Sequence, residues 1–214
     1  MNDAHEDGRL IKALRTLALA GLAAAAVLAV WSATAKRDTS SGLMHYGQLP
    51  AFQLVSMGGR PFYSTSLDGK VWIASFVYTS CKASCPMLTA QVKRLAKSLP
   101  AGPDYAMVSF TVDPKVDSPE KLRKYAAASG ADDPRWYFLT GSVAALKSLI
   151  TDGFKLVAEP DDVALDQRKS PDIVHSTKLV LIDKHGSVRG YYDGLLGSSV
   201  EAVRRDAQLL DRES

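Results

Sequence analysis

The chain has 214 residues, 46% of them hydrophobic and 23% charged, with 26 lysines and arginines against 23 acidic residues for a net charge of +3. That is enough length for one full core plus an appended segment, and too much apolar content for a disordered chain. The charge is spread thinly, without a long basic run or an aromatic series, so the footprint of a nucleic-acid binder is absent.

Residues 1–15 are polar and carry Arg9, Lys12 and Arg15. Thr16 to Ala35 then runs without a charge, closed by Lys36-Arg37. Twenty such residues at about 1.5 Å rise nearly match a hydrocarbon core of roughly 30 Å. Trp31 sits where an interfacial aromatic belongs, and the basic residues ahead of the segment give a weak positive-inside signal. The same residues also fit a secretory signal, with Ala33-Thr34-Ala35 resembling an A-x-A cleavage site. The segment 16–35 is therefore read as an anchor in preference to a cleaved signal, with 1–15 as a cytoplasmic tail. Either way the rest of the chain lies outside the cytoplasm. Residues 36–48 contain much Ser, Thr and Gly and read as a linker. The folded domain is expected over 49–214.

Within it, Phe52 to Ser56 and Pro61 to Tyr63 read as a hairpin around Gly58-Gly59, followed by a loop from Ser66 to Lys70. Val71 to Tyr78 is a nearly continuous apolar run, as in a strand buried on both faces. A cysteine loop follows, then a helix from Met87 to Leu99 with Leu88, Val92, Leu95 and Leu99 on one face. Tyr105 to Val112 is a second buried strand. Ser118-Pro119-Glu120 opens a helix with a cap and a proline in its first turn. Arg135 to Leu139 is a short strand, Ser142 to Thr151 a helix, and Phe154 to Ala158 a further strand. Glu159 to Ile173 is polar and reads as an exposed excursion. Thr177 to Ile182 and Ser187 to Tyr192 form a hairpin around Lys184-His185-Gly186, and Ser198 to Leu210 a closing helix. This order predicts an α/β, thioredoxin-like domain: a central mixed sheet with helices on both faces. Its site belongs at the carboxyl end of the first buried strand.

That is where the only two cysteines fall, Cys81 and Cys85 in FVYTSCKASCPM. A strand that delivers two thiols to the mouth of a helix puts them where orphan N–H groups and the helix dipole favour thiolate. Thiolate is the form that binds metals and attacks disulfides. Of the four histidines, His5 lies before the apolar segment, and His45 and His185 read as solvated. His175 immediately precedes the late strand, next to the cysteine loop in a thioredoxin-like sheet. Two sulfurs and an imidazole suit Cu(I), and serve Cu(II) with a further ligand, whereas zinc prefers a fourth protein ligand. Asp113 ends a strand beside the cysteine strand and could orient His175 or the thiols from behind, or simply form the turn before Pro114. Met87 offers a thioether, but its place in the helix reads as core packing.

These residues resemble the SCO/SenC copper proteins of cytochrome c oxidase assembly. The matches are Leu49-Pro50-Ala51-Phe52, YTSCKASCP from Tyr78, SFTVDPKVDSPEKLRKYA from Ser109 and DIVHSTKLVLID from Asp172. The resemblance implies a membrane-tethered domain facing the periplasm or the mitochondrial intermembrane space, here the periplasm with the anchor in a bacterial inner membrane. It implies copper as the bound metal, Cu(I) and Cu(II), with Cys81, Cys85 and His175 as ligands. The implied partners are subunit II of the oxidase or a similar copper receiver, a copper donor protein and a thiol reductant. The implied task is to help metallate the binuclear copper site, by passing copper or by reducing the receiver's cysteines. The second possibility is that of a thiol–disulfide oxidoreductase with Cys81 and Cys85 as its redox pair. The CxxxC spacing and the sequence His175-Ser176-Thr177, where thioredoxin-type reductases carry a cis-proline, favour the first.

Overall fold

The computed structural model describes residues 41–156 and 176–213. The expected membrane segment 16–35, the tail ahead of it, the polar excursion and His175 lie outside the described residues. No helix among the described residues is long and apolar enough to cross a membrane.

Eight strands form one sheet in the order β1-β8-β7-β4-β5-β6-β2-β3. They are β1 (Gly47–Gln48), β2 (Gln53–Ser56), β3 (Pro61–Tyr63), β4 (Val71–Val77), β5 (Tyr105–Thr111), β6 (Trp136–Thr140), β7 (Lys178–Ile182) and β8 (Ser187–Asp193). The helices are α1 (Ser84–Ser98), α2 (Pro119–Ala128), α3 (Val143–Ser148) and α4 (Gly197–Asp211). β4, β5 and β6 run parallel, and the remaining pairs are antiparallel. The mixed, helix-covered sheet is the thioredoxin-like plan expected from the element order.

All seven residues of β4 and all seven of β5 are buried, which explains their continuous apolar runs. Alternate side chains feed two cores, one on each face of the sheet. Trp72, Ala74 and Phe76 of β4, with Val108 and Phe110 of β5, pack against Leu146, Leu149, Ile150 and Phe154. Val71, Ile73 and Met107 face the other way, onto Leu88, Val92 and Leu95 of α1, Leu122 of α2 and Val203 and Leu210 of α4. Each large side chain buried this way contributes about 1.5–3 kcal/mol. The polar members of the strands are satisfied within the core: Ser75 and Ser109 share a hydrogen bond of 2.8 Å, and Trp136 Nε1 donates to Ser109 at 2.9 Å.

The structure departs from the sequence reading at a few places. α1 begins at Ser84, three residues before the expected Met87. Pro86 is tolerated there because first-turn N–H groups have no partner within the helix. Met87 is 57% exposed instead of packed in the core, because it lies outside the stripe of Leu88, Val92 and Leu95 that the helix buries. Phe154 to Leu156 is not a strand: Leu149–Gly153 forms a π-helical turn, Phe154 is buried, and Lys155 has a φ of 54° that no strand allows. Ser64–Leu67 is a short 3₁₀ turn that takes in the start of the expected loop. Gly47–Gln48, within the expected linker, pairs with Val188 and Ser187 at the edge of β8.

Candidate functional site

The carboxyl ends of β4 and β5 lie side by side, with Val77 opposite Thr111. β7 runs antiparallel to β4, so its beginning reaches the same end of the sheet. The chain leaving β4 turns at once: Cys81 N–H donates to the Tyr78 carbonyl at 3.2 Å. α1 starts three residues later. Pro86 in its first turn is compatible with a helix that begins this close to the strand end.

This geometry sets the two sulfurs in different surroundings. Cys81 is half-buried and Cys85 fully buried, both as free thiols. The backbone N–H of Cys85 donates to Cys81 Sγ at 3.3 Å, and the Ser84 hydroxyl lies 3.7 Å from the same sulfur. Cys81 thus takes up one of the orphan N–H groups at the mouth of α1, where an oxygen-bearing side chain would normally act. Its thiol is lowered to about 4, chiefly by a hydrogen bond from the Cys85 side chain; burial opposes this, and the Cys85 and Ala83 N–H groups and the Tyr78 side chain reinforce it. Cys85 is pushed up, first because it gives its S–H to Cys81, then by burial, with the charges of Cys81 and Asp117 adding to both. The hydrogen bond therefore favours thiol at Cys85 and thiolate at Cys81, the more exposed member. Such a sulfur is a ready nucleophile and a ready soft-metal ligand.

A small cavity opens beside Cys85, walled by Phe76, Tyr78, Leu88, Val112, Ser176 and Thr177. Ser176 and Thr177 belong to the chain entering β7. Gly194 closes the same corner: its N–H donates to the Thr177 carbonyl at 2.8 Å, and a Cβ there would come within 2.6 Å of that oxygen. Among the described residues no group of three or more His, Cys, Asp or Glu side chains clusters as a metal site. His175, one residue before Ser176, lies outside the described residues. His45 and His185 are exposed.

Asp113 forms the turn after β5. Its carbonyl accepts from Val116 and Asp117, and its N–H donates to Thr111 Oγ1 at 3.0 Å. The acid that reaches beneath the cysteine loop is Asp117, which the sequence reading passed over. Its carboxylate accepts from Thr79 N–H at 3.1 Å, Thr79 Oγ1 at 2.6 Å and Thr111 Oγ1 at 2.6 Å. The second aspartate of VDPKVDSP was the available signal; it precedes the Ser118 cap, and the turn at Asp113 swings it back under the strand ends.

Comparison with known proteins agrees with this architecture. Residues 44–209 match the family described as SCO1/SenC. The chain belongs to the SCO1/SenC family. The solved structure of a SCO1/SenC family lipoprotein from Bacillus anthracis is 32% identical, with a TM-score of 0.65, covering 76% of this chain and 94% of that one. That of BsSco, described as a member of the Sco family of cytochrome c oxidase assembly proteins with a disulfide switch, is 27% identical. Its TM-score is 0.68, over 81% of this chain and 98% of that one. A Stutzerimonas stutzeri protein named as a candidate for copper binding is 29% identical over 77% of this chain and 78% of its own length.

Proposed function

We propose that this SCO1/SenC protein binds copper through Cys81, Cys85 and His175 and delivers it to the binuclear copper site of cytochrome c oxidase. The observation that carries the reading is the placement of both sulfurs at the mouth of α1, where the Cys85 N–H donates to Cys81 Sγ at 3.3 Å and the Ser84 hydroxyl lies 3.7 Å from it. An arriving Cu(I) would meet a charged sulfur and displace a single proton, from Cys85. The cavity beside Cys85 is walled by the two residues that follow His175, which supports the imidazole as third ligand. Family membership, the copper-named relative and the oxidase-assembly role stated for BsSco support the metal and the recipient. Transfer would proceed by exchange: thiolates of the receiving subunit replace Cys81 and Cys85 one at a time, so copper is never free. A copper donor and a thiol reductant complete the cycle. The apolar segment 16–35 and the lipoprotein nature of the Bacillus anthracis relative support a membrane-attached protein with its domain in the periplasm.

The same half-buried thiolate supports a second reading, as a thiol–disulfide oxidoreductase toward the receiver's cysteines, and the disulfide switch described for BsSco favours keeping it. In that reaction Cys81 attacks the target disulfide, and Cys85, losing its proton, resolves the mixed disulfide. The two products leave as target dithiol and a Cys81–Cys85 disulfide. A transfer assay separates the readings. Copper-loaded protein is incubated with the apo, fully reduced copper domain of an oxidase subunit II, and metal and thiols are counted on both partners. Copper moving without thiol oxidation is the expected result; no copper movement, with disulfide exchange alone on an oxidised receiver, contradicts delivery.

A further inference from the structure

Of the methionines among the described residues, Met107 is fully buried, Met57 packs against the core on the α1 face of the sheet, and Met44 lies in the chain entering β1. Met87 stands two residues from Cys85 and is left in water. The buried stripe of α1 is Cys85, Leu88, Val92 and Leu95, and Met87 contributes nothing to it. Its place on the helix accounts for more than its exposure. Ser84 opens α1, and Met87 follows it at a spacing of three, so the two share one face of the helix. Long side chains on a helix lean back over the turn that precedes them. For Met87 that turn holds Ser84, whose hydroxyl lies 3.7 Å from Cys81 Sγ. A thioether on three rotatable bonds is thus placed to reach the solvent side of Cys81, the half-buried sulfur, while Cys85 is buried beside the cavity.

We propose that Met87 is an accessory copper ligand, whose thioether holds Cu(I) together with Cys81 while Cys85 is being exchanged for a sulfur of the receiving protein. This rests on the reading of Cys81 and Cys85 as the copper pair and adds a residue to its hand-over. Exchange has a vulnerable moment, after Cys85 has let go and before the receiver supplies its second sulfur. In the first step a receiver thiol passes its proton to Cys85, its sulfur bonds copper, the Cys85–copper bond breaks and a bond to Met87 Sδ forms. In the second step another receiver sulfur bonds copper, its proton leaves to solvent, and the bonds to Cys81 and Met87 break. Copper stays Cu(I) throughout and no electron moves. A thioether suits such a passing role: it is soft enough for Cu(I), yet it carries no charge that would hold the ion back.

The test uses the full-length reduced protein and Met87→Leu, which keeps an exposed apolar side chain of similar size and removes the sulfur. Cys85→Ser traps the half-exchanged state, and Cu(I) titration against a competing chelator reads its residual affinity. Adding Met87→Leu to Cys85→Ser should lower that affinity about tenfold, within the range of coupling between residues that share a partner. Adding it to Cys81→Ser should change nothing, since the buried Cys85 does not share the solvent side with Met87. Equal affinity of Cys85→Ser with and without Met87→Leu overturns the proposal, and so does an equal loss in both backgrounds. A second measurement leaves the cysteines intact and decides the matter if Cys85→Ser does not fold: stopped-flow release of Cu(I) from the loaded protein to dithiothreitol. Release should slow about tenfold in Met87→Leu while equilibrium affinity moves less than about twofold. An unchanged release rate contradicts the proposal. If the reduced wild type takes up no Cu(I) through Cys81 and Cys85, the copper assignment falls and Met87 with it; uptake by the wild type without any effect of Met87→Leu overturns the role of Met87 alone.

Discussion

The two ends of the central sheet handle buried charge in opposite ways. At the end where β7 finishes, Arg189 gathers everything around it. It bonds Asp183 at 3.0 Å and Glu213 at 2.8 Å, and it reaches the Ser41 hydroxyl and the Leu43 and Met44 carbonyls. One guanidinium is shared by two carboxylates, and the result is mechanical: the incoming strap at 41–44 and Glu213 are tied to β8. At the other end, where β4 delivers the cysteines, Thr79 and Thr111 donate to Asp117, and the Cys85 N–H donates to Cys81 Sγ at 3.3 Å. Ion pairs tie down the end away from the cysteines, and hydrogen bonds from neutral groups shape the end that carries them.

Breaking the ion-paired end should give the largest loss of stability. Arg189→Ala leaves Asp183 buried without its cation and should cost about 3 kcal/mol in urea unfolding. Adding Asp183→Asn should recover part of that loss. The effect has a pH signature. Glu213 is half-sheltered; burial pushes its carboxyl up, but hydrogen bonds from Ser41 and Arg189 outweigh this and hold it below its ordinary value of 4.5. A lowered folded value stabilises above the ordinary carboxylate range and loses that contribution as pH falls through it. The gap between wild type and Arg189→Ala should therefore narrow on acidification below about pH 4.5. A gap independent of pH would mean that Arg189 acts by packing alone.

A smaller effect is expected at the junction between the two kinds of site. Ser118 caps α2 by accepting from Lys121 N–H at 3.3 Å, and it directly follows Asp117. Ser118→Ala should cost about 1 kcal/mol. Smaller still is the stability change expected for Asp117→Asn, within about 0.5 kcal/mol of zero, because the cost of burying a carboxylate falls as one hydrogen bond weakens. A loss as large as that of Arg189→Ala would place Asp117 with the structural carboxylates and end the comparison.

Much of this was legible in the sequence because burial leaves a pattern. β4 and β5 are buried on both faces and read as unbroken apolar runs, and Ser118-Pro119 marks the start of α2 within a residue. What was lost had no such pattern. The start of α1 was obscured by Pro86, which reads as a break yet is harmless in a first turn, and Met87 lies off the buried stripe that Leu88, Val92 and Leu95 mark out. The two-residue β1 is too short to show alternation. Asp113 and Asp117 are both aspartates in the same turn, and only the folded chain distinguishes the one that makes the turn from the one whose side chain points back under the cysteines. The thiol pair itself was plain from spacing; its division into a low and a high thiol depends on hydrogen bonds that spacing does not encode.

That division can be checked before any metal is added. Cys81 should be alkylated by iodoacetamide throughout pH 5–8, because its thiol is lowered to about 4, while buried Cys85 stays protected in the folded protein. A rate for Cys81 that climbs steadily up to the ordinary thiol range would contradict the hydrogen-bonded thiolate.

The copper assignment itself is tested most directly by titrating Cu(I) anaerobically, against a competing chelator, into the full-length protein in three forms: reduced, oxidised to the Cys81–Cys85 disulfide, and carrying Cys81→Ser with Cys85→Ser. The disulfide removes both sulfur ligands at once. The reduced protein should bind one copper per chain, and the other two forms should not compete with the chelator. Equal affinity in all three would contradict the claim that Cys81 and Cys85 are the ligands.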